Sequence, residues 1–249
     1  MGRANWALRF YTDVLGLRHL HYGLWDAGAA LTLENFQYAQ EAYGRHLMAL
    51  FPHDVQRVLD VGCGTGAISA RLLEAGYSVE GVSPDPHEGA AYRVITRGRA
   101  PFHLGKFEDL SPGGREFDLI LMAESCQYIK VAPGLAQAAR LLRSGGYLLV
   151  SDYFVKGGKE AGCLQCRSGH ELAAYLQACE GAGFTLRQQG DITPRVLPTL
   201  DLARMFYRSY MEPAKKLGAE YLRERYPWLS RVLWGLLKKR IRRLEDRLP

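Results

Sequence analysis

The 249 residues are 47% hydrophobic and 23% charged, which are globular values for a chain long enough to form one α/β domain or two small ones. No apolar run reaches the ~18 residues that span a bilayer, and Met1-Gly2-Arg3-Ala4-Asn5-Trp6 carries neither a signal-peptide core nor a myristoylation signal, so the expected compartment is the cytoplasm. The formal charge of +6 is uneven, because residues 213–249 hold eleven Lys and Arg against four acids, leaving the rest of the chain near neutrality.

Residues 4–16 read as an amphipathic helix carrying Trp6, Leu8, Phe10, Tyr11 and Val14. His21-Tyr22-Gly23-Leu24-Trp25-Asp26 follows and is too aromatic for a plain linker. It reads either as a helix cap packed on the core or as a lid. Phe36, Ala39, Tyr43, Leu47 and Leu50 set a helical period over 32–51, which Pro52 ends. Val58-Leu59-Asp60-Val61 is a short buried strand, followed by Gly62, Gly64 and Gly66 and then by a helix over Ala67–Ala75 that breaks at Gly76. Glycines at such a turn let a ligand approach the main chain, and the helix N-terminus offers free N–H groups. The spacing is G-x-G-x-G, one residue short of the dinucleotide fingerprint G-x-G-x-x-G, and no phosphate loop G-x-x-x-x-G-K-[ST] occurs.

Tyr77–Ser83 reads as the second strand and is followed by Pro84-Asp85-Pro86. Pro101–Leu104 is a short third strand that leads to Phe107-Glu108-Asp109-Leu110. Phe117–Met122 is the fourth, running into Ala123-Glu124-Ser125-Cys126-Gln127-Tyr128-Ile129. A helix over Leu135–Leu142, a Ser-Gly-Gly turn and a strand over Gly146–Phe154 come next. Asp152-Tyr153-Phe154 falls at the carboxyl end of that strand, the edge at which open α/β sheets bind ligands. Ser168-x-x-Glu171 reads as a capping box that places His170 in the first turn of the next helix. Phe184–Thr193 reads as a sixth strand, and everything after Thr199 reads as helical. Cys163-x-x-Cys166, with His170 and Cys179, has zinc-like spacing but no repeat. Five cysteines without a secretion signal read as reduced thiols, and no metal is expected.

The stretch 58–66 resembles motif I of the class I S-adenosylmethionine (SAM) methyltransferases. The resemblance extends more weakly over about residues 11–193. It implies that Asp60, Gly62, Gly64 and Gly66 seat the amino-acid part of SAM. Phe107 and Glu108 resemble the adenine-receiving motif. In most members an acid at the tip of the second strand holds the ribose. Here Ser83 stands there, and Ser83, Pro84 and Asp85 become the candidates. Glu124 and Gln127 lie in a segment that touches cofactor and acceptor in relatives. Phe10-Tyr11 followed by H-Y-G-x-W is similar to the N-terminal segment of methyltransferases related to cyclopropane synthases, tocopherol methyltransferases and sarcosine-type enzymes, which implies that Tyr11, and less directly Tyr22, covers SAM. His170 and Tyr22 are the catalytic candidates. Tyr11, Tyr22, Tyr128 and Tyr153 form an aromatic set suited to a sulfonium or a cationic acceptor, though many of them also read simply as core.

The expected architecture is α/β: a doubly wound, mostly parallel Rossmann-like sheet of six or seven strands, with N-terminal helices and an all-helical C-terminal extension. Residues 1–51 would be a helical lid, 52–195 the SAM-binding domain and 196–249 the basic extension. The expected function is SAM-dependent methyl transfer to a small, hydrophobic acceptor. The alternative is a lipid-modifying enzyme, cyclopropane synthase-like or a phospholipid N-methyltransferase, at the inner membrane surface. Trp228–Leu248 repeats apolar residues at three- and four-residue steps with Lys and Arg between them, so it would either dock on the protein or a second subunit, or lie on an anionic membrane. Few aromatics interleave those charges, and no nucleic-acid partner is expected.

Overall fold

The computed structural model describes residues 6–111, 116–155 and 169–228. The chain divides into two compact units, Met1–Val196 and Leu197–Pro249. The first unit is built on a five-stranded parallel sheet of β1 (Arg57–Val61), β2 (Ser78–Ser83), β3 (Phe102–Leu104), β4 (Phe117–Ala123) and β5 (Leu142–Ser151). The spatial order is β3-β2-β1-β4-β5, with Val58 opposite both Val79 and Leu119. The strands read as continuous Val, Leu and Ile runs because both faces of the sheet are covered. Leu59, Val61, Val82, Ile120 and Met122 pack toward α5 (Val131–Leu141) and α6 (Leu172–Gly181) in one cluster. Val58, Val79, Leu119 and Leu121 pack with Tyr43 and Leu47 of α2 (Leu33–Ala49) and with Ile68 and Leu72 of α3 (Ala67–Glu74) in the other.

The order reverses between β1 and β4. The chain leaves β1 toward β2 and β3 on one side and returns to β4 and β5 on the other, which opens a crevice at the carboxyl ends of the two central strands. The glycine loop follows β1, and the segment carrying Glu124 follows β4.

Several expectations shift. The first helix ends early: Trp6–Arg9 is α-helical (α1), and Phe10–Val14 forms a π-helical turn. α5 starts four residues before the expected Leu135, since Pro133 is tolerated in a first turn where its missing N–H has no helical partner. β5 starts earlier too, at Leu142, with a register irregularity between Phe117 and Leu119. The expected strand at 184–193 does not form, and residues 184–192 are irregular. Only Phe184 and Leu186 alternate there before the polar run Arg187-Gln188-Gln189-Gly190-Asp191, and Leu186 is exposed, so no apolar face drives pairing with β5. The sheet therefore has five strands among the described residues, not six or seven.

A small parallel pair joins β6 (Phe154–Val155) to β7 (His170–Glu171). Glu171, not Ser168, caps α6, its carboxylate accepting from the amides of Ala173 and Ala174. Ser168 and the Cys163/Cys166 pair lie outside the described residues. The helix α4 (Pro86–Ile95) follows β2, capped by Asp85.

In the second unit the described residues are helical: the later part of α7 (Thr193–Phe206), a π-turn at Tyr207–Met211, and α8 (Glu212–Arg225). Met205, Tyr207 and Tyr210 are exposed there. The expected amphipathic helix lies outside the described residues beyond Trp228. No described helix is long and apolar enough to cross a membrane.

Candidate functional site at the carboxyl edge of β1 and β4

The glycine loop is shaped by three positive φ angles: +69° at Gly62, +52° at Gly64 and +87° at Gly66. Space also requires two of these glycines. A Cβ on Gly62 would lie 2.4 Å from Ser125 Cβ, and one on Gly66 would lie 2.6 Å from the Tyr92 ring. Gly62 donates its amide to Val82 O and Gly66 to Cys63 O. The amides of Gly64 and Thr65 have no partner among the described residues. They stand just ahead of the α3 N-terminus, where the helix dipole favours an electron-rich ligand. This cradle of unpartnered amides fits the amino-acid end of SAM.

Asp60 sits beneath the loop and is 2% exposed. Its carboxylate accepts from Ser69 Oγ at 2.6 Å, and burial pushes it up to about 6 despite that bond. Asp60 therefore ties β1 to α3 from inside the protein, beneath the glycine loop.

The strap of residues 18–25 lies over the loop. Thr65 donates its hydroxyl to Arg18 O, and Leu20 faces the Cα of Gly64. Gln40 of α2 donates to both His19 O and His21 O, and Leu24 N donates to Ala39 O. Gly23 permits this docking, because a Cβ there would lie 2.5 Å from Ala39 Cβ. His19 and His21 are buried side by side, with Nδ1 and Nε2 2.9 Å apart, and burial pushes them down to about 4 and about 3.

Within the strap, the Tyr22 backbone amide donates to Glu124 Oε1 at 2.9 Å. Glu124 holds a positive φ of +59°, a strained setting for a non-glycine residue and one that clusters at functional sites. Burial pushes its carboxyl up to about 8. The Tyr22 amide pulls it down, and Asp152 at the end of β5 pushes it further up. Asp152 is itself raised by burial, although it accepts from the amides of Gln127 and Tyr153. The Tyr22 phenol feels Glu124, Tyr11, Tyr128 and Tyr153, and the Tyr11 phenol, raised by burial, also feels Glu124. Tyr11 and Tyr22 thus lie near the half-buried Glu124 carboxyl, and Tyr128 and Tyr153 lie near Tyr22. Tyr128 and Tyr153 are exposed, so these two are not core residues.

Three other candidates sit differently from expectation. Phe107 is 3% exposed, inside the core cluster with Leu59 and Val82, so it has no free face to stack on a purine. Glu108 faces the start of α5, accepting from Lys130 N. His170 lies in β7, ahead of the cap of α6 and outside its first turn. Its Nε2 is 3.0 Å from both Cys126 O and Ile129 O, so that nitrogen carries the hydrogen, and the ring stacks on Tyr175. The imidazole pins the segment after β4 to the β6–β7 pair, a task that leaves little freedom for proton transfer. Ser83 is 2% exposed, Pro84 is exposed, and Asp85 accepts from His87 N as the α4 cap. Glu88, which the sequence reading passed over, accepts from Ser83 Oγ at 2.5 Å. No group of three or more His, Cys, Asp or Glu able to hold a metal occurs among the described residues.

Residues 36–189 match the model of a protein family described as a methyltransferase domain. Among curated proteins, the methyltransferase GfsG of Streptomyces halstedii is 29% identical over 225 residues, covering 79% of this chain and 75% of that one. The 27-O-demethylrifamycin SV methyltransferase of Amycolatopsis mediterranei is 28% identical over 163 residues, 62% of this chain and 58% of that one. The first curated relatives are matched over only 40% of their length. Among solved structures, geranyl diphosphate C-methyltransferase from Streptomyces coelicolor A3(2), determined with Mg2+, geranyl diphosphate and S-adenosyl-L-homocysteine, superposes with a TM-score of 0.67. It is 19% identical, with 80% of this chain and 85% of that one covered, a likeness of fold.

Proposed function

The chain belongs to the methyltransferase domain family, and on that premise we propose that it is a SAM-dependent methyltransferase acting on a hydroxyl group of a small, largely apolar molecule, with Glu124 as general base. The reading is carried by Glu124: a half-buried carboxyl at the carboxyl end of β4, strained at φ +59° and raised to about 8. A base is useful only when the acceptor loses a proton, and a general base works best with a value near the working pH. The O-methyl chemistry in the name of the rifamycin relative supports the hydroxyl acceptor.

In this reading Gly62, Gly64, Thr65 and the α3 N-terminus hold the amino-acid end of SAM, which when bound supplies a methyl group already activated by sulfonium. The protein aligns the acceptor and excludes water. The strap over Gly64 and Thr65 closes the cofactor end. The Tyr22 amide holds one oxygen of the Glu124 carboxylate and leaves the other for the acceptor. Tyr11, Tyr22, Tyr128 and Tyr153 offer aromatic faces to an apolar acceptor and to positive charge. Tyr22 acts through this positioning, and His170 is assigned an anchoring role in place of the expected base.

The test begins with calorimetric titration of the protein with S-adenosylhomocysteine. It continues by incubating the protein and methyl-labelled SAM with an extract of its host and identifying the product by mass spectrometry. Binding together with a labelled O-methyl product supports the reading. Absence of binding overturns the cofactor, and label on carbon or nitrogen overturns the hydroxyl acceptor.

A further inference from the structure

The Tyr22 amide that meets Glu124 is itself held on both sides by groups with no part in the chemistry so far. Gln40 of α2 donates to His21 O at 2.7 Å. That carbonyl and the Tyr22 N–H belong to one planar trans peptide, so a donor on one edge turns the N–H on the other edge toward Glu124. The next carbonyl, Tyr22 O, lies 2.7 Å from His21 Nδ1. A carbonyl only accepts, so Nδ1 carries the hydrogen of the ring and His21 Nε2 is left as an acceptor. His19 Nδ1 faces that Nε2 at 2.9 Å and donates to it. Glu41, ion-paired with Arg71, lies 3.0 Å from His19 Nε2, and a hydrogen between those two leaves the pair of rings and the carboxyl neutral as a group. Arg71 and Arg18 are the cations that face His19. The His21 ring packs on Tyr43, with centroids 4.6 Å apart. Tyr43 donates to Ser151 Oγ at 2.8 Å, and Ser151 O accepts from Glu124 N at 2.8 Å. One imidazole thus touches both the backbone that reaches the Glu124 carboxyl and the side chain that braces the Glu124 backbone.

We propose that His21 is a positioning residue for the reaction, its Nδ1–H fixing the Tyr22 backbone so that the amide meets the Glu124 carboxylate. The inference rests on Glu124 as the base and names what sets the geometry of that base. His19 and Glu41 act one step further back, by holding His21 in the tautomer that donates to a carbonyl. Burial raises Glu124, the Tyr22 amide pulls it back, and Asp152 adds to the rise. Tyr11, Tyr22 and Tyr43 are the other titratable groups that face it. Loss of the amide's aim therefore raises Glu124 further, because a hydrogen bond to the charged form is gone. Admission of water does the opposite and lowers it toward its ordinary 4.5. The direction of the change separates aim from packing.

The experiment is an NMR titration of the full chain, with carbon-13 in the glutamate carboxyls and nitrogen-15 in the histidine rings. The Glu124 resonance is assigned by its absence in Glu124→Gln and followed in the wild type, His21→Phe and His21→Asn. Phenylalanine keeps a ring against Tyr43 but has no donor, whereas the Asn Nδ2 stands close to the place of Nδ1 and keeps one. The wild-type carboxyl should titrate near 8. In His21→Phe it should titrate about 0.5–1 pH unit higher, and in His21→Asn it should return most of the way. The ring nitrogens of the wild type should show His21 with its hydrogen on Nδ1, a result that depends on no variant folding. An unchanged or lowered Glu124 in His21→Phe overturns the inference while Glu124 stands as the base. So does an Asn variant no nearer the wild type than the Phe variant, or a His21 hydrogen on Nε2. A wild-type Glu124 that titrates near 4.5 overturns both the base and the inference built on it.

Discussion

Replacing Glu124 by Gln tests the half-buried carboxyl without needing the acceptor. Gln has the shape of a protonated Glu and can still accept from the Tyr22 amide, and the strain of φ +59° is common to both chains. The native carboxyl is raised from an ordinary 4.5 to about 8, so the folded protein binds this proton more tightly than the unfolded chain does. The stability it contributes is complete below pH 4.5 and is lost as pH rises through about 8. Each pH unit in that interval removes about 1.4 kcal/mol, giving an upper bound of about 5 kcal/mol. Water reaching the half-buried carboxyl screens part of this. The expected gap between variant and wild type is therefore about 2–3 kcal/mol at pH 8.5, or about 5–10 °C in melting temperature for a unit of this size. Thermal unfolding followed by circular dichroism from pH 5 to 8.5 measures it. The two melting curves should coincide near pH 5 and separate as pH rises, with Glu124→Gln the more stable. Parallel curves would refute a raised Glu124 and with it the argument for a base. The stabilised variant should also lose methyl transfer, since a carboxamide accepts no proton.

Gly62→Ala and Gly64→Ala should separate folding from binding. The first drives a Cβ to 2.4 Å from Ser125 and costs about 2–4 kcal/mol in melting experiments. The second meets only Leu20, at 3.4 Å, and should fold with a loss of about 1 kcal/mol from its positive φ while weakening S-adenosylhomocysteine in calorimetry. Ser69→Ala removes the partner of buried Asp60 and should lower stability by about 1–3 kcal/mol, with the deficit growing from pH 5 to 7.5 as the aspartate is forced to ionise. Phe107→Leu should lower the melting temperature through core packing, by about 1 kcal/mol, and leave cofactor affinity unchanged. A selective loss of affinity would restore the purine-stacking role that its burial argues against.

The parts of this protein legible in its sequence are those that a local pattern fixes. The strand Val58–Val61, the alternating glycines and the helix after them are specified together, because positive φ and close packing at Gly62 and Gly66 admit almost nothing else. The apolar runs of β2, β4 and β5 declare a sheet covered on both faces, and the glycine spacing separates this loop from a dinucleotide fold. The tyrosines at 11, 22, 128 and 153 could be nominated as a set by residue type alone. The meeting of Tyr22 with Glu124 could not, because it depends on the strap reaching from α2 to β4, a contact 102 residues apart in sequence. Misreadings arose where one pattern serves two ends. Phe107-Glu108 looks like a purine platform, but an aromatic beside an acid is equally the way a short turn roots itself in a core. Phe184–Thr193 begins with strand-like alternation but lacks the apolar face that pairing needs. Glu88 was passed over because nothing about a glutamate in the first turn of a helix distinguishes a dipole-favoured surface acid from one folded back on a strand tip. Sequence thus determined the elements and the cradle, whose causes lie within a few residues. Tertiary structure decided which carboxylates are buried, paired or open, because desolvation and partners are set by chain segments that meet only when folded.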